Sequence, residues 1–194
     1  MKRELSDILY WQQQVAYYRD ENAYKKLYFH FYSSLHRFAV AFIGDPEISE
    51  ELVSDVMIRI WMMKEKLSNI NRLDLYLFKC VRNAALAHIN EKKSIIVQNT
   101  DEEHFDQMGY CHADAEINAK EISHRIESVV RRLPPQSQLV FRLIKDEGLS
   151  YKEVQSVMGI SNNTIKTHIR IALKRIRMAL EGVSGQRSNK QKIK

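Results

Sequence analysis

The chain has 194 residues, 44% hydrophobic and 28% charged, with a formal net charge of +6 at pH 7. That balance excludes a disordered or fibrous chain, and the surplus of Lys and Arg favours an anionic partner such as nucleic acid. The two cysteines, Cys80 and Cys111, form no CxxC pair and are too few for a disulfide framework, which fits a reducing compartment.

In chain order, the opening MKRELSDILYWQQQ lacks the apolar centre of a signal peptide, and no apolar run is long enough for a bilayer. A soluble, cytoplasmic protein with no direct membrane insertion is the expectation. From Ala23 to Ile43, Leu27, Phe31, Leu35, Phe38 and Phe42 step by three and four, the period of a helix buried on one face. Gly44-Asp45-Pro46 ends that helix and starts another, with Gly after a C-terminus and Pro in a first turn. A second helix is predicted over Pro46–Lys66, with Leu52, Val56, Ile60 and Met63 as its stripe. A polar break, Ser68–Arg72, precedes a third helix over Leu73–Ile89, with Leu77, Val81, Ala84, Ala85 and His88 near one face.

Helical periodicity then lapses over residues 94–116. Asp101, Glu102, Glu103, Asp106, Asp114 and Glu116 fall there, and no Lys or Arg appears between Lys93 and Lys120. This reads as an acidic linker between two helical domains, or as a solvated segment with no task. The expected divisions are 1–93, the linker 94–114, a second domain 115–181 and a basic, weakly structured tail 182–194. His104, Cys111 and His112 lie in the linker at a spacing that suits no common metal site, so no metal is expected.

In the second domain Ile117–Arg132 reads as a helix broken by Leu133-Pro134-Pro135. Leu139, Val140, Leu143 and Ile144 mark the next one, closed by Glu147-Gly148. Ser150-Tyr151-Lys152-Glu153 has the form of a capping box, followed by Val154, Val157 and Met158 as a buried face. Gly159 allows a turn, and Ser161 can cap a last helix on which Ile165, Ile169, Leu173 and Ile176 are apolar while Lys166, Thr167, Arg170, Lys174 and Arg177 oppose them. A short capped helix, a glycine turn and a longer helix with a basic face make a helix-turn-helix. Ser161, Asn162, Asn163, Thr164, Thr167 and His168 can meet base edges, and Lys166, Arg170, Lys174 and Arg177 can meet phosphates. The competing reading is a helical hairpin of a protein-binding module with its charges merely solvated. No phosphate-binding glycine loop or nucleophile elbow appears, so neither enzyme activity, nor a cofactor, nor a small-molecule substrate is expected.

The stretch LPPQSQLVFRLIKDEGLSYKEVQSVMGISNNTIKTHIRIALKRIRMAL resembles the C-terminal DNA-binding region of bacterial RNA polymerase sigma factors of the extracytoplasmic-function (ECF) class. EELVSDVMIRIWMMKEKL is similar to that family's polymerase-binding helix, and LDLYLFKCVRNAALAHINEKK to its promoter-melting helix. The resemblance covers roughly residues 20–93 and 115–181. It implies an all-α protein of two small helical domains, the second a helix-turn-helix, whose partners are core RNA polymerase, promoter DNA and an anti-sigma factor. It further implies that Glu51, Asp55 and Arg59 face the polymerase, with Trp61 either part of the core, the reading favoured, or a docking aromatic. Asn69, Asn71 and Arg72 in the loop Ser68–Arg72, with Lys79, Arg82 and Asn83, would handle the minus-10 element, and Lys92 and Lys93 would meet phosphates. Ser161–Lys174 would read the minus-35 element. The chain departs from the family pattern at Ala87, Asn90 and Glu91, where an acid followed by a basic residue is usual, and at Ser54, where Gln is usual. A stand-alone helix-turn-helix regulator, its N-terminal half a sensor, is the alternative.

Overall fold

The computed structural model describes the backbone of residues 2–96 and 119–190, with side chains described over 6–92 and 123–180. All regular structure among the described residues is helical. The helices are α1 (Lys2–Gln13), α2 (Glu21–Ile43), α3 (Pro46–Met62), α4 (Leu73–Ile96), α5 (Ala119–Arg131), α6 (Pro135–Lys145), α7 (Tyr151–Met158) and α8 (Asn162–Lys190). A π-helical turn, Gln14–Tyr18, joins α1 to α2, and a 3-10 turn, Lys64–Asn69, follows α3.

Local chemistry explains most of the boundaries. The Asp20 carboxylate accepts from the amides of Asn22 and Ala23 at 2.8 and 3.1 Å and so starts α2. Gly44, at φ 80°, closes it in the left-handed conformation that costs other residues. Asp45 then caps α3 through the amides of Glu47 and Ile48, with Pro46 in the first turn. The second predicted helix stops short of Lys66: α3 ends at Met62, and Lys64 turns to φ 52° before the 3-10 segment. The third runs beyond Ile89 to Ile96, into the span expected as linker; residues 97–118, with His104, Cys111 and His112, lie outside the described residues.

The N-terminal helices pack α2 against α3 and α4, burying Leu27, Phe31, Leu35 and Phe38 as the period requires. Phe38 meets Phe78 of α4 edge-on, with ring centroids 5.1 Å apart. On α3 the buried stripe is Val53, Val56, Met57 and Ile60 rather than one led by Leu52 and Met63, which are only half-buried. Val56 and Ile60 are buried as expected, and Val53 and Met57 join them because the helix is flanked by α2 and α4 together, so its covered face is wide.

In the C-terminal part α8 lies across α5, α6 and α7. Its buried face is Ile165, Ile169 and Ala172, with Ile176 half-buried. Leu173, expected inside, is 46% exposed. Ala172, rather than Leu173, takes the position on the covered face. Nor is the tail weakly structured throughout, since α8 continues to Lys190. Arg142 of α6 is almost wholly buried. Its guanidinium donates to Glu127 at 2.6 Å and to Asp146 at 3.1 Å, so the charge is neutralised where water is excluded. The two halves touch: α2 meets α6, α4 meets α7, and their buried residues form one connected cluster.

Candidate nucleic-acid interface

The helix-turn-helix is assembled by the caps foreseen in the sequence. Ser150 Oγ accepts from the Glu153 amide at 3.3 Å, and the Glu153 carboxylate accepts from the Ser150 amide at 2.8 Å, a reciprocal capping box. The Ser150 amide first, and then the Ser150 hydroxyl, which donates to the same carboxylate at 2.7 Å, hold the Glu153 carboxyl below its ordinary range, with Arg72 adding to the effect. Gly159 sits at φ 68°, which permits the turn into α8. Ser161 Oγ accepts from the Thr164 amide at 3.1 Å and lies 2.9 Å from the Thr164 hydroxyl, so both hydroxyls serve the cap.

Asn162, Lys166, Arg170 and Lys174 follow one another at i, i+4 along α8, and all are exposed, as is Asn163 beside them. This ridge lies opposite the buried Ile165, Ile169 and Ala172. Arg177, one turn further, is also exposed. Thr167 is exposed, and its hydroxyl donates back to the Asn163 carbonyl at 3.1 Å. His168 differs from its neighbours. It is half-buried, and its Nδ1 lies 3.0 Å from the hydroxyl of the fully buried Ser137 on α6. That bond ties the start of α8 to α6. Arg175 adds a second tie, donating to the Arg132 carbonyl at 2.9 Å.

In the N-terminal half Asn69, Asn71 and Arg72 are exposed on the loop before α4, Asn83 is exposed on α4, and Lys79 and Arg82 are half-buried. Arg72 grips Asp74 with two parallel bonds of 2.9 and 2.7 Å, and its remaining amino group pairs with Glu153 of α7. These carboxylates raise the Arg72 pKa above its ordinary value. The Arg82 guanidinium lies against the turn glycine; a Cβ on Gly159 would come within 3.1 Å of it. A third contact lies on the other side, where Arg37 of α2 is 3.9 Å from Glu147. Burial raises the Glu147 carboxyl above its ordinary range, and the Ser34 hydroxyl and Arg37 offset this only in part. The helix-turn-helix therefore engages Arg72 through Glu153 and abuts Arg82 at Gly159.

On α3, Glu51, Asp55 and Arg59 are exposed at i, i+4 spacing, and Glu47, Glu50, Glu51, Ser54 and Asp55 line a shallow acidic depression. Trp61 turns inward: its ring is tilted against Tyr24 at 5.0 Å, with the Arg19 guanidinium 3.8 Å above it. Sequence reasoning missed Ile58 and Met62, which are 56% and 66% exposed on the same helix. Their signal was present, since neither belonged to the predicted apolar stripe and the two are four residues apart. No helix among the described residues is long and apolar enough to cross a membrane.

Residues 27–95 match the family Sigma-70 region 2, and residues 123–176 match Sigma-70, region 4. The RNA polymerase sigma factor SigZ of Bacillus subtilis (strain 168) is 26% identical over 140 residues, covering 72% of this chain and 77% of the relative. The ECF RNA polymerase sigma factor SigL of Mycobacterium tuberculosis (strain H37Rv) is 24% identical over 152 residues, covering 76% and 82%. Two solved structures share the fold. The sigma factor RpoE of Bartonella quintana, in complex with the anti-sigma factor NepR, gives a TM-score of 0.59 at 20% identity over 81% of this chain and 96% of that one. CnrH, in complex with the cytosolic domain of CnrY, gives 0.53 at 17% identity over 91% and 98%.

Proposed function

The chain belongs to the sigma-70 family as an ECF sigma factor, and on that premise we propose how its residues divide the work of directing core RNA polymerase to promoters. Sigma factors are non-catalytic initiation factors, so the task is recognition rather than chemistry. The carrying observation is the joint presence of regions 2 and 4, in that order, with the helix-turn-helix geometry realised in the second. A stand-alone regulator needs no region 2 and is not favoured.

In this reading Asn162, Asn163, Lys166, Arg170 and Lys174 present themselves to the major groove of the minus-35 element, amides toward bases and cations toward phosphates. Ser161, Thr164 and His168 chiefly hold the helix in the posture that makes this reading possible. The loop Ser68–Arg72, with Lys79, Arg82 and Asn83, takes the single-stranded minus-10 element, where a basic surface and captured bases supply affinity. The exposed charges Glu51, Asp55 and Arg59 dock on the polymerase, joined by Ile58 and Met62. Trp61 supports that helix from within.

The arrangement is a closed one. Arg72 cannot serve Glu153 and DNA at once, so the two halves separate when promoter is bound. Core polymerase drives that separation by binding each half. An anti-sigma factor opposes it, a reading supported by the solved RpoE, which carries the anti-sigma factor NepR. The site of action is the cytoplasm.

Reconstitution tests the reading. The purified protein, mixed with sigma-free core polymerase and genomic DNA, should yield transcripts whose 5′ ends follow a shared pair of upstream motifs. Absence of protein-dependent transcripts and of co-elution with core would overturn it.

A further inference from the structure

Gln12 of α1 is a primary amide with only 2% of its surface exposed. A buried amide is costly unless it is hydrogen-bonded. Both of its N–H groups are used, donating to the Leu67 carbonyl at 2.7 Å and to the Ile70 carbonyl at 2.8 Å. Those carbonyls flank Ser68 and Asn69, so one amide group spans the first half of the loop Ser68–Arg72. The loop leaves a six-residue 3-10 turn, a structure of poor hydrogen-bond geometry; its Ile70 amide bonds back to the Leu67 carbonyl at 3.2 Å, and its Arg72 carbonyl accepts from the Tyr76 amide of α4 at 3.1 Å.

Two neighbours of Gln12 act on the same junction. Tyr17 donates its hydroxyl to Ser68 Oγ at 3.0 Å, and Ser68 in turn donates to the Glu65 carbonyl at 2.7 Å. Arg19 lays its guanidinium over Trp61 and donates to the Trp61 carbonyl, satisfying a carbonyl at the C-terminus of α3. Among the described residues the non-glycine positions with positive φ are Arg19 (54°) and Lys64 (52°), and both lie in segments packed at this junction. Backbone strain of this kind persists where surrounding contacts over-determine it and gathers at functional sites.

We infer that Gln12, Tyr17 and Arg19, which precede the matched region 2, form a brace that sets the conformation of the minus-10-reading loop, with Gln12 as its principal positioning residue. The inference rests on the reading that this loop captures the minus-10 element. An apolar side chain at position 12 would fill the same space but could not fix the two carbonyls. A purely structural role would therefore affect stability, whereas a positioning role changes which bases are selected.

The test uses the full-length chain with core polymerase on two promoter libraries, one randomised in the minus-10 element and one in the minus-35 element. Gln12→Met keeps length and bulk and removes both donors; Tyr17→Phe removes only an exposed hydroxyl. Phe38→Leu, in the core of the same half, serves as the stability control. Gln12→Met should lower minus-10 base preference about tenfold, the scale expected when buried acceptors lose their partner, and leave minus-35 preference unchanged. Tyr17→Phe should act in the same direction, about twofold. Phe38→Leu should reduce total transcription without changing base preference. Parental minus-10 preference in Gln12→Met, or an equal loss in Phe38→Leu, overturns the inference. If Gln12→Met does not fold, Tyr17→Phe decides, and unchanged preference there overturns it as well. Failure of the parent to direct any promoter-dependent transcript is a different result: it overturns the sigma-factor reading, and the brace with it.

Discussion

Glu153→Gln should open the closed arrangement without unfolding the helix-turn-helix. Gln can still reach back to the Ser150 amide, so the capping box survives. Arg72 keeps its two bonds to Asp74 and loses only the charge across the interface. The side chains of Arg72 and Glu153 are 42% and 25% exposed, so solvent screens the pair and its contribution is that of a surface ion pair, about 0.2–1 kcal/mol. The closed-to-open ratio should then fall about 1.4- to 5-fold. Because only the open form frees Arg72 from Glu153 and Arg82 from the Gly159 turn, affinity for a single-stranded minus-10 oligonucleotide should rise by the same factor. Fluorescence anisotropy measures the affinity, and energy transfer between dyes on α2 and α8 measures the opening. The gain should shrink as salt rises, since the parent's ion pair is then already screened. Glu65→Gln supplies the control, removing an exposed acid from the turn that precedes the loop. An equal gain in Glu65→Gln, or a gain in Glu153→Gln with no change in energy transfer, would refute the argument from closure.

Further outcomes concern the C-terminal half. Arg170→Ala should weaken binding to all minus-35 sequences alike and flatten the salt dependence by about one unit of slope, while Asn163→Ala should alter which sequences are preferred; promoter-library transcription at two salt concentrations separates them. Leu143→Ala, at a fully buried position, should cost about 2–5 kcal/mol, read by chemical denaturation. Burial raises the Glu127 carboxyl, but hydrogen bonds from Arg142 and Arg131 outweigh it and leave it below its ordinary range. Its contribution is therefore fully present above the ordinary glutamate value of about 4.3 and is lost as pH falls through the lowered one. Thermal melts across that window should show acid destabilisation in the parent and a weaker pH dependence in Glu127→Gln. Gly159→Ala should destabilise the turn by about 1–2 kcal/mol through its positive φ, and should push the Arg82 guanidinium aside, detected as increased energy transfer loss between the halves.

Much of the molecule was legible because it is local. The capping box at Ser150–Glu153, the Gly44-Asp45-Pro46 junction and the cap at Ser161 each depend on residues within four positions of one another, and each formed where the sequence placed it. The apolar period over Leu27–Phe38 likewise reports a single helix face. Exposure of Lys166, Arg170 and Lys174 followed from the same geometry. Periodicity said less where several helices cover one element. It could not choose between Leu173 and Ala172 on α8, nor tell that Val53 and Met57 rather than Leu52 and Met63 complete the face of α3, because burial there depends on how closely the partners approach.

The sequence by itself determined a helical fold, the order of the helices from α2 onward, the helix-turn-helix and the basic ridge upon it; it did not show α1. The tertiary structure alone decided which polar groups meet: Gln12 with Leu67 and Ile70, His168 with Ser137, Arg72 with Glu153. These partners stand 55, 58, 31 and 81 residues apart. A hydrogen bond has no period along the chain. A buried donor must find an acceptor wherever packing brings one, and the sequence shows the donor without showing where the fold will bring its acceptor.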